Sequence, residues 1–81
     1  MKTYPIIIEK ANSNYSAYCP DLPGCVATGV TVREVKKNMK EAIELHIQGL
    51  KEDGLPIPRP STGVVYLEVE TSAKVSFYGV Q

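Results

Sequence analysis

At 81 residues and 8.9 kDa, the chain has room for one domain and no more. A domain of this size hides only about 60% of the surface its unfolded chain exposes. Nine Lys and Arg balance nine Asp and Glu, which excludes recruitment of nucleic acid by a global basic field. The start "MKTYPIIIEK" holds three consecutive aliphatics, far short of a signal-peptide core or a membrane span. The cytosol is therefore the expected compartment.

The stretch "YPIIIEKANSNYSAYC" predicts two strands joined by a tight polar turn. Pro5 suits a strand start because it donates no ladder hydrogen bond. Ile6 and Ile8 share one face, with Ile7 on the other. Asn and Ser in "ANSN" tolerate turn conformations. Tyr15, Ala17 and Cys19 then alternate with Ser16 and Tyr18, the period of a strand. After a break at Pro20, "CVATG" predicts a short third strand.

Between these strands lies "YCPDLPGCV", with one acid held between two prolines and inside a pair of cysteines. Pro23 and Gly24 fit the central positions of a type II turn from Leu22 to Cys25, since proline presets a negative φ and glycine accepts the positive φ that follows. Pro20 pushes Cys19 into an extended conformation. The expectation is a rigid knob with Leu22 as its apolar tip and Asp21 as its charge. Rigidity suits an interface, because a preorganised loop loses less entropy on binding. Tyr18, Pro20, Asp21, Leu22, Pro23 and Gly24 are accordingly the candidate partner-binding residues. The plain alternative is a loop that only turns strand two into strand three.

The helix is the clearest element. Thr31 and Glu34 form a T-x-x-E capping box, each side chain expected on the other's backbone N–H, and Val30 is placed to meet Val35 as a hydrophobic staple. Gly54 at C′ with Leu55 against Leu50 predicts a Schellman ending, and Pro56 forbids continuation. The helix is expected over residues 31–53. Its apolar stripe is Val35, Met39, Ala42, Ile43, His46 and Leu50. Leu45 and Ile47 make the stripe wider than one small sheet needs; either a partner or the chain's own C-terminal strands would cover the surplus.

"GLPIPRPSTG" reads as a stiff extended linker, and "VVYLEVE" as a strand with Val65, Leu67 and Val69 on one face. "KVSFYGV" is a candidate last strand. Neighbouring strands joined by tight turns with one helix across a face define an α+β domain, order β-β-β-α-β(-β), on an antiparallel sheet.

Residues 15–60, "YSAYCPDLPGCVATGVTVREVKKNMKEAIELHIQGLKEDGLPIPRP", resemble the HicB-like antitoxin family. The likeness lies in the Tyr-led strand, "PDLPGC", the Gly-Val-Thr entry to the helix, "EAIELHI" and the exit "EDGLPIPRP". It implies a truncated ribonuclease H-like fold and an antitoxin that neutralises a small basic RNA-cleaving toxin of the HicA type by covering its working surface. Many members add a C-terminal helix-turn-helix or ribbon-helix-helix that binds DNA. Residues 61–81 read instead as strand, so a single domain over 1–81 without operator binding is expected. Association into a homodimer or higher homo-oligomer through exposed strand edges is the further expectation.

Two other classes compete with that reading: a minimal metal-dependent ribonuclease and a dimeric scaffold without a toxin. The ribonuclease would need Asp21 to converge with Glu41 or Glu44 so that two metals could clamp the attacking and leaving oxygens. Glu41 and Glu44 fall on the polar side of the helix, which argues against it. No cofactor, metal or catalytic residue is expected. His46 sits in the apolar stripe and is expected to be a neutral core imidazole. Cys19 and Cys25 have neither zinc nor C-x-x-C spacing and are expected as small buried thiols, with a disulfide as the alternative. Arg33, Lys36, Lys37 and Lys40 cluster on the first half of the helix and are expected as solvated cations, or as a surface for an acidic partner or RNA.

Overall fold

The computed structural model describes residues 2–72 of the chain. Three strands, β1 (Ile7–Lys10), β2 (Tyr15–Tyr18) and β3 (Val26–Gly29), precede one helix, α1 (Val32–Glu52). The strands form one antiparallel sheet in the order β1-β2-β3. The α+β class and the order of elements are those expected. Three paired strands and one helix are too few elements to define a ribonuclease H-like fold, so that description stays with the family resemblance.

Register follows from side-chain alternation. Ile8 stands opposite Ala17 and Ala17 opposite Ala27. This row faces the helix, where Ala17, Cys19, Leu22, Cys25, Val35 and Met39 form the buried core. One position along, Ile7, Tyr18 and Val26 form a cross-strand row on the opposite face. The β1–β2 connection closes where the Ala11 N–H donates to the Asn14 carbonyl at 2.8 Å.

Helix α1 starts on Thr31, whose hydroxyl accepts from the Glu34 N–H at 3.0 Å. The return half of the cap differs from expectation: the Glu34 carboxylate accepts from the Val30 N–H at 2.6 Å, one residue ahead of the cap. Val30 is 67% exposed, so it buries little of its side chain where the staple to Val35 is expected. The far end is the expected Schellman motif: Leu55 N–H donates to Leu50 O, Gly54 N–H to Lys51 O, and Gly54 takes a φ of 70°. Giving the last backbone carbonyls hydrogen-bond donors in this way stops the helix cleanly.

Packing of the helix is close at one end and partial at the other. A Cβ on Gly29 would stand 2.6 Å from the Val35 backbone nitrogen, so only glycine lets α1 approach β3 this closely. Val35 and Met39 are fully buried, whereas Leu45 is 70% exposed. The 21-residue helix is about 31 Å long at 1.5 Å per residue. A four-residue strand covers about 13 Å, so the second half of α1 overhangs the sheet. His46 and Leu50 are consequently half-buried and outside the core cluster, which corrects their place in the expected stripe.

The predicted strand at 64–70 has no backbone ladder to the sheet. Its residues are exposed, Tyr66 to 93%. The other C-terminal candidate, "KVSFYGV", lies outside the described residues. With a Cα radius of gyration of 17.1 Å, the chain is far more extended than the roughly 12 Å of a compact domain of this length.

Candidate functional site

The seven-residue loop between β2 and β3, residues 19–25, is built from two consecutive turns. Leu22 N–H donates to Cys19 O, placing Pro20 and Asp21 at the centre of the first. Cys25 N–H donates to Leu22 O and Gly24 takes a φ of 83°, as the Pro-Gly pair requires of the second. Cys19 N–H to Cys25 O at 3.2 Å closes the base. Each proline thus sits inside a hydrogen-bonded turn, Pro20 in the first and Pro23 in the second.

The side chains are used differently from expectation. Leu22 is fully buried, among the largest side chains of the core. It cannot be an apolar tip; the double turn folds its side chain inward because that is the nearest apolar volume. Asp21 is half-buried and faces the C-terminal linker. Its carboxylate accepts from the Ser61 N–H and hydroxyl at 3.2 and 2.9 Å, and from the Thr62 N–H and hydroxyl at 3.4 and 3.0 Å. Partial burial pushes the Asp21 carboxyl up, but these four hydrogen bonds to its ionised form outweigh burial and hold it below its ordinary value. The charge is spent inside the molecule.

A second tie secures the same linker. Tyr4 Oη donates to the Pro58 carbonyl at 2.6 Å. Burial, then the nearby Cys19 and Asp21, raise the Tyr4 phenol above its ordinary value, which keeps it a donor. Cys19 and Cys25 are free, buried thiols. Burial and then Cys19 push the Cys25 thiol up.

Of the six candidate contact residues, Tyr18, Pro23 and Gly24 are exposed and Pro20 is half-buried. Tyr18 is joined on the open sheet face by Val26, 65% exposed, and by half-buried Ile7. Sequence alternation carried the signal for this row, yet only the register brings three separate strands to one line. Glu41 and Glu44 are exposed and pair with Lys37 and Lys40 at 3.8 and 3.0 Å. The structure does not bring them to Asp21, and among the described residues no three His, Cys, Asp or Glu side chains gather as metal ligands.

The overhanging half of α1 makes a second surface. With the N-terminal segment it bounds an open groove of about 510 Å³, walled by Tyr4, Ile6, Met39, Ile43, Ile47 and Ile57. Lys2, Lys36, Lys40 and Lys51 stand around it with Glu44. Two of the four helix cations noted in the sequence therefore edge an apolar groove. No described helix is long and apolar enough to cross a membrane.

A small α+β domain with an apolar row on an open sheet face and an apolar groove beneath its helix has the surfaces of a protein-binding module. The sequence profile of the HicB-like antitoxin of bacterial toxin–antitoxin systems matches residues 4–76, and the chain belongs to that family. It is similar to a solved HicA3 and HicB3 toxin–antitoxin complex, with a TM-score of 0.64 and 38% identity over 74% of this chain and 70% of that one. A UPF0150 protein of Synechocystis is 40% identical over 57 residues, 69% of this chain and 72% of its own length. A 14.9 kDa protein of the rep-hol intergenic region of Haemophilus phage HP1 is 48% identical over 56 residues, again 69% of this chain, and the match spans 42% of the phage protein.

Proposed function

We propose that the protein is a cytoplasmic antitoxin that acts without catalysis, binding a small basic RNA-cleaving toxin of the HicA type and covering its RNA-binding and catalytic surface. The observation that carries this reading is the likeness to the HicA3 and HicB3 complex at 38% identity over 74% of the chain. Family membership over residues 4–76 supports it.

The contact surface in this reading is centred on Tyr18, with Val26 beside it on the sheet and Pro23 and Gly24 at its rim. An amphipathic tyrosine on a rigid sheet is a favourable anchor at an interface, because it brings large area with little conformational entropy to lose. Pro20 contributes from the loop. Asp21 and Leu22 act indirectly, the first by pinning the linker and the second by seating the loop in the core. A metal-dependent ribonuclease has no comparable support, since Asp21 is held by Ser61 and Thr62.

Co-expression with a small basic HicA-type protein from a neighbouring gene, followed by gel filtration and a growth assay, tests the reading. The expected result is co-elution and restored growth. Tyr18→Asp is expected to weaken the complex by about tenfold or more with an unchanged melting temperature. Failure of the unaltered chain to co-elute and to restore growth would remove the antitoxin function.

A further inference from the structure

The open face of the sheet carries two cross-strand rows. Ile7, Tyr18 and Val26 make the apolar one; two positions along each strand, Glu9, Ser16 and Thr28 stand in register as a polar one. Glu9 is the single charged residue of these six. It is exposed, and the adjacent Lys10 alternates to the helix-facing side. Diagonal neighbours in an antiparallel pair lie about 7–8 Å apart, which sets Glu9 beside Tyr18 across β1 and β2.

Most other carboxylates of the folded part have work within the molecule. Asp21 serves Ser61 and Thr62, and Glu34 accepts from the Val30 N–H. Glu41 and Glu44 pair with Lys37 and Lys40. Glu52 accepts from Gln48 Nε2 at 3.2 Å, and Asp53 is the C-cap at the far end of α1. Glu9 has neither a hydrogen-bond nor an ion-pair partner among the described residues. Glutamate is also a poor strand former, so its place in the middle of an open sheet face brings the fold no return.

We propose that Glu9 sets which toxin this antitoxin accepts and in what orientation. Its carboxylate takes a lysine or arginine side chain of the toxin, while Tyr18 takes the apolar side chain next to it. Ser16 and Thr28 flank the ion pair with their hydroxyls. This inference rests on the proposed antitoxin function and names the contact chemistry of its sheet surface. The chain carries nine cations and nine anions, so no overall field steers a basic partner to it. Selection falls to the local charge: Glu9 attracts a cation placed against the sheet and repels a partner that presents an acid there.

Titration calorimetry with the small basic HicA-type protein used for co-expression tests the assignment. The dissociation constant should rise by about tenfold in Glu9→Gln and about a hundredfold in Glu9→Lys. Melting temperatures should not change, because the side chain is exposed. Added salt should weaken the unaltered chain more than Glu9→Gln, since screening acts on the charge pair. Glu41→Lys makes the same change of net charge on the helix and should bind as the unaltered chain does. Equal affinity of the unaltered chain and both Glu9 variants would overturn the assignment and leave the antitoxin function standing. An equal loss in Glu9→Lys and Glu41→Lys would reduce the effect to net charge and overturn it as well. If the unaltered chain does not bind, the antitoxin function falls and the role of Glu9 falls with it.

Discussion

Asp21 and Ser61 lie 40 positions apart, and two hydrogen bonds from Ser61 converge on one carboxylate oxygen of Asp21. Thr62 adds two more to the same side chain. The loop that reads as a tip for another macromolecule is thus the fastening point of the chain's own C-terminal segment. Its position between two prolines explains why one short side chain can serve four donors: the backbone that presents it hardly moves.

The fastening is acid-sensitive in a definite direction. The folded-state value of Asp21 is lowered below its ordinary 3.8, so its contribution is present above the unfolded value and is lost as pH falls through the folded one. Hydrogen exchange at the Ser61 and Thr62 amides should stay slow at neutral pH and quicken below pH 3.8. In Asp21→Asn the same amides should exchange quickly throughout. Equal protection in the two proteins at neutral pH would show that the linker is held elsewhere.

Leu22→Ala should behave as a core truncation. Removing a fully buried leucine costs about 2–5 kcal/mol, a large share of the roughly 4–12 kcal/mol available to a domain this small. Chemical denaturation should show a lower midpoint with a similar slope. An unchanged midpoint would place Leu22 at the surface after all.

Gly29→Ala probes the approach of α1 to β3. The new methyl would stand 2.6 Å from the Val35 nitrogen and 2.9 Å from its Cα, both backbone atoms that cannot rotate away. Overpacking of this kind costs about 1–3 kcal/mol, and each kcal/mol lowers the melting temperature of a small domain by about 4–8 °C. Thermal melts followed by circular dichroism report it directly.

The two thiols supply a fourth check. Cys19 and Cys25 are buried and free, and Cys25 is raised above its ordinary value of 9.0. Since the thiolate is the reactive form, iodoacetamide should label Cys25 slowly in the folded protein near neutral pH and quickly once urea unfolds it. Mass spectrometry should find both cysteines alkylated together on unfolding, at a rate set by the opening of the domain.

Local patterns in the chain were enough to define every element whose cause is local. The Thr31 cap, the Gly54 ending, the Pro23-Gly24 turn and the alternation through Tyr15, Ala17 and Cys19 each depend on residues within a few positions of one another, and the structure places them as read. The family resemblance, carried by residues 15–60, rests on these same local signatures. Long-range partners are another matter. Nothing within the loop says that Leu22 turns inward, that Asp21 meets Ser61 and Thr62, or that Glu34 reaches Val30 in place of Thr31. Those outcomes depend on where the sheet, the helix and the linker come to rest in space. The extent of α1 was legible from its two caps, whereas its burial was decided by a sheet about half its length, and the apolar arm at 64–70 has the alternation of a strand without a place in its own sheet. Sequence determines what each segment can become, because backbone and near-neighbour energies act along the chain; the tertiary structure alone decides which side chains are consumed within the molecule and which are left for another, because burial and distant hydrogen bonds exist only once the segments are assembled.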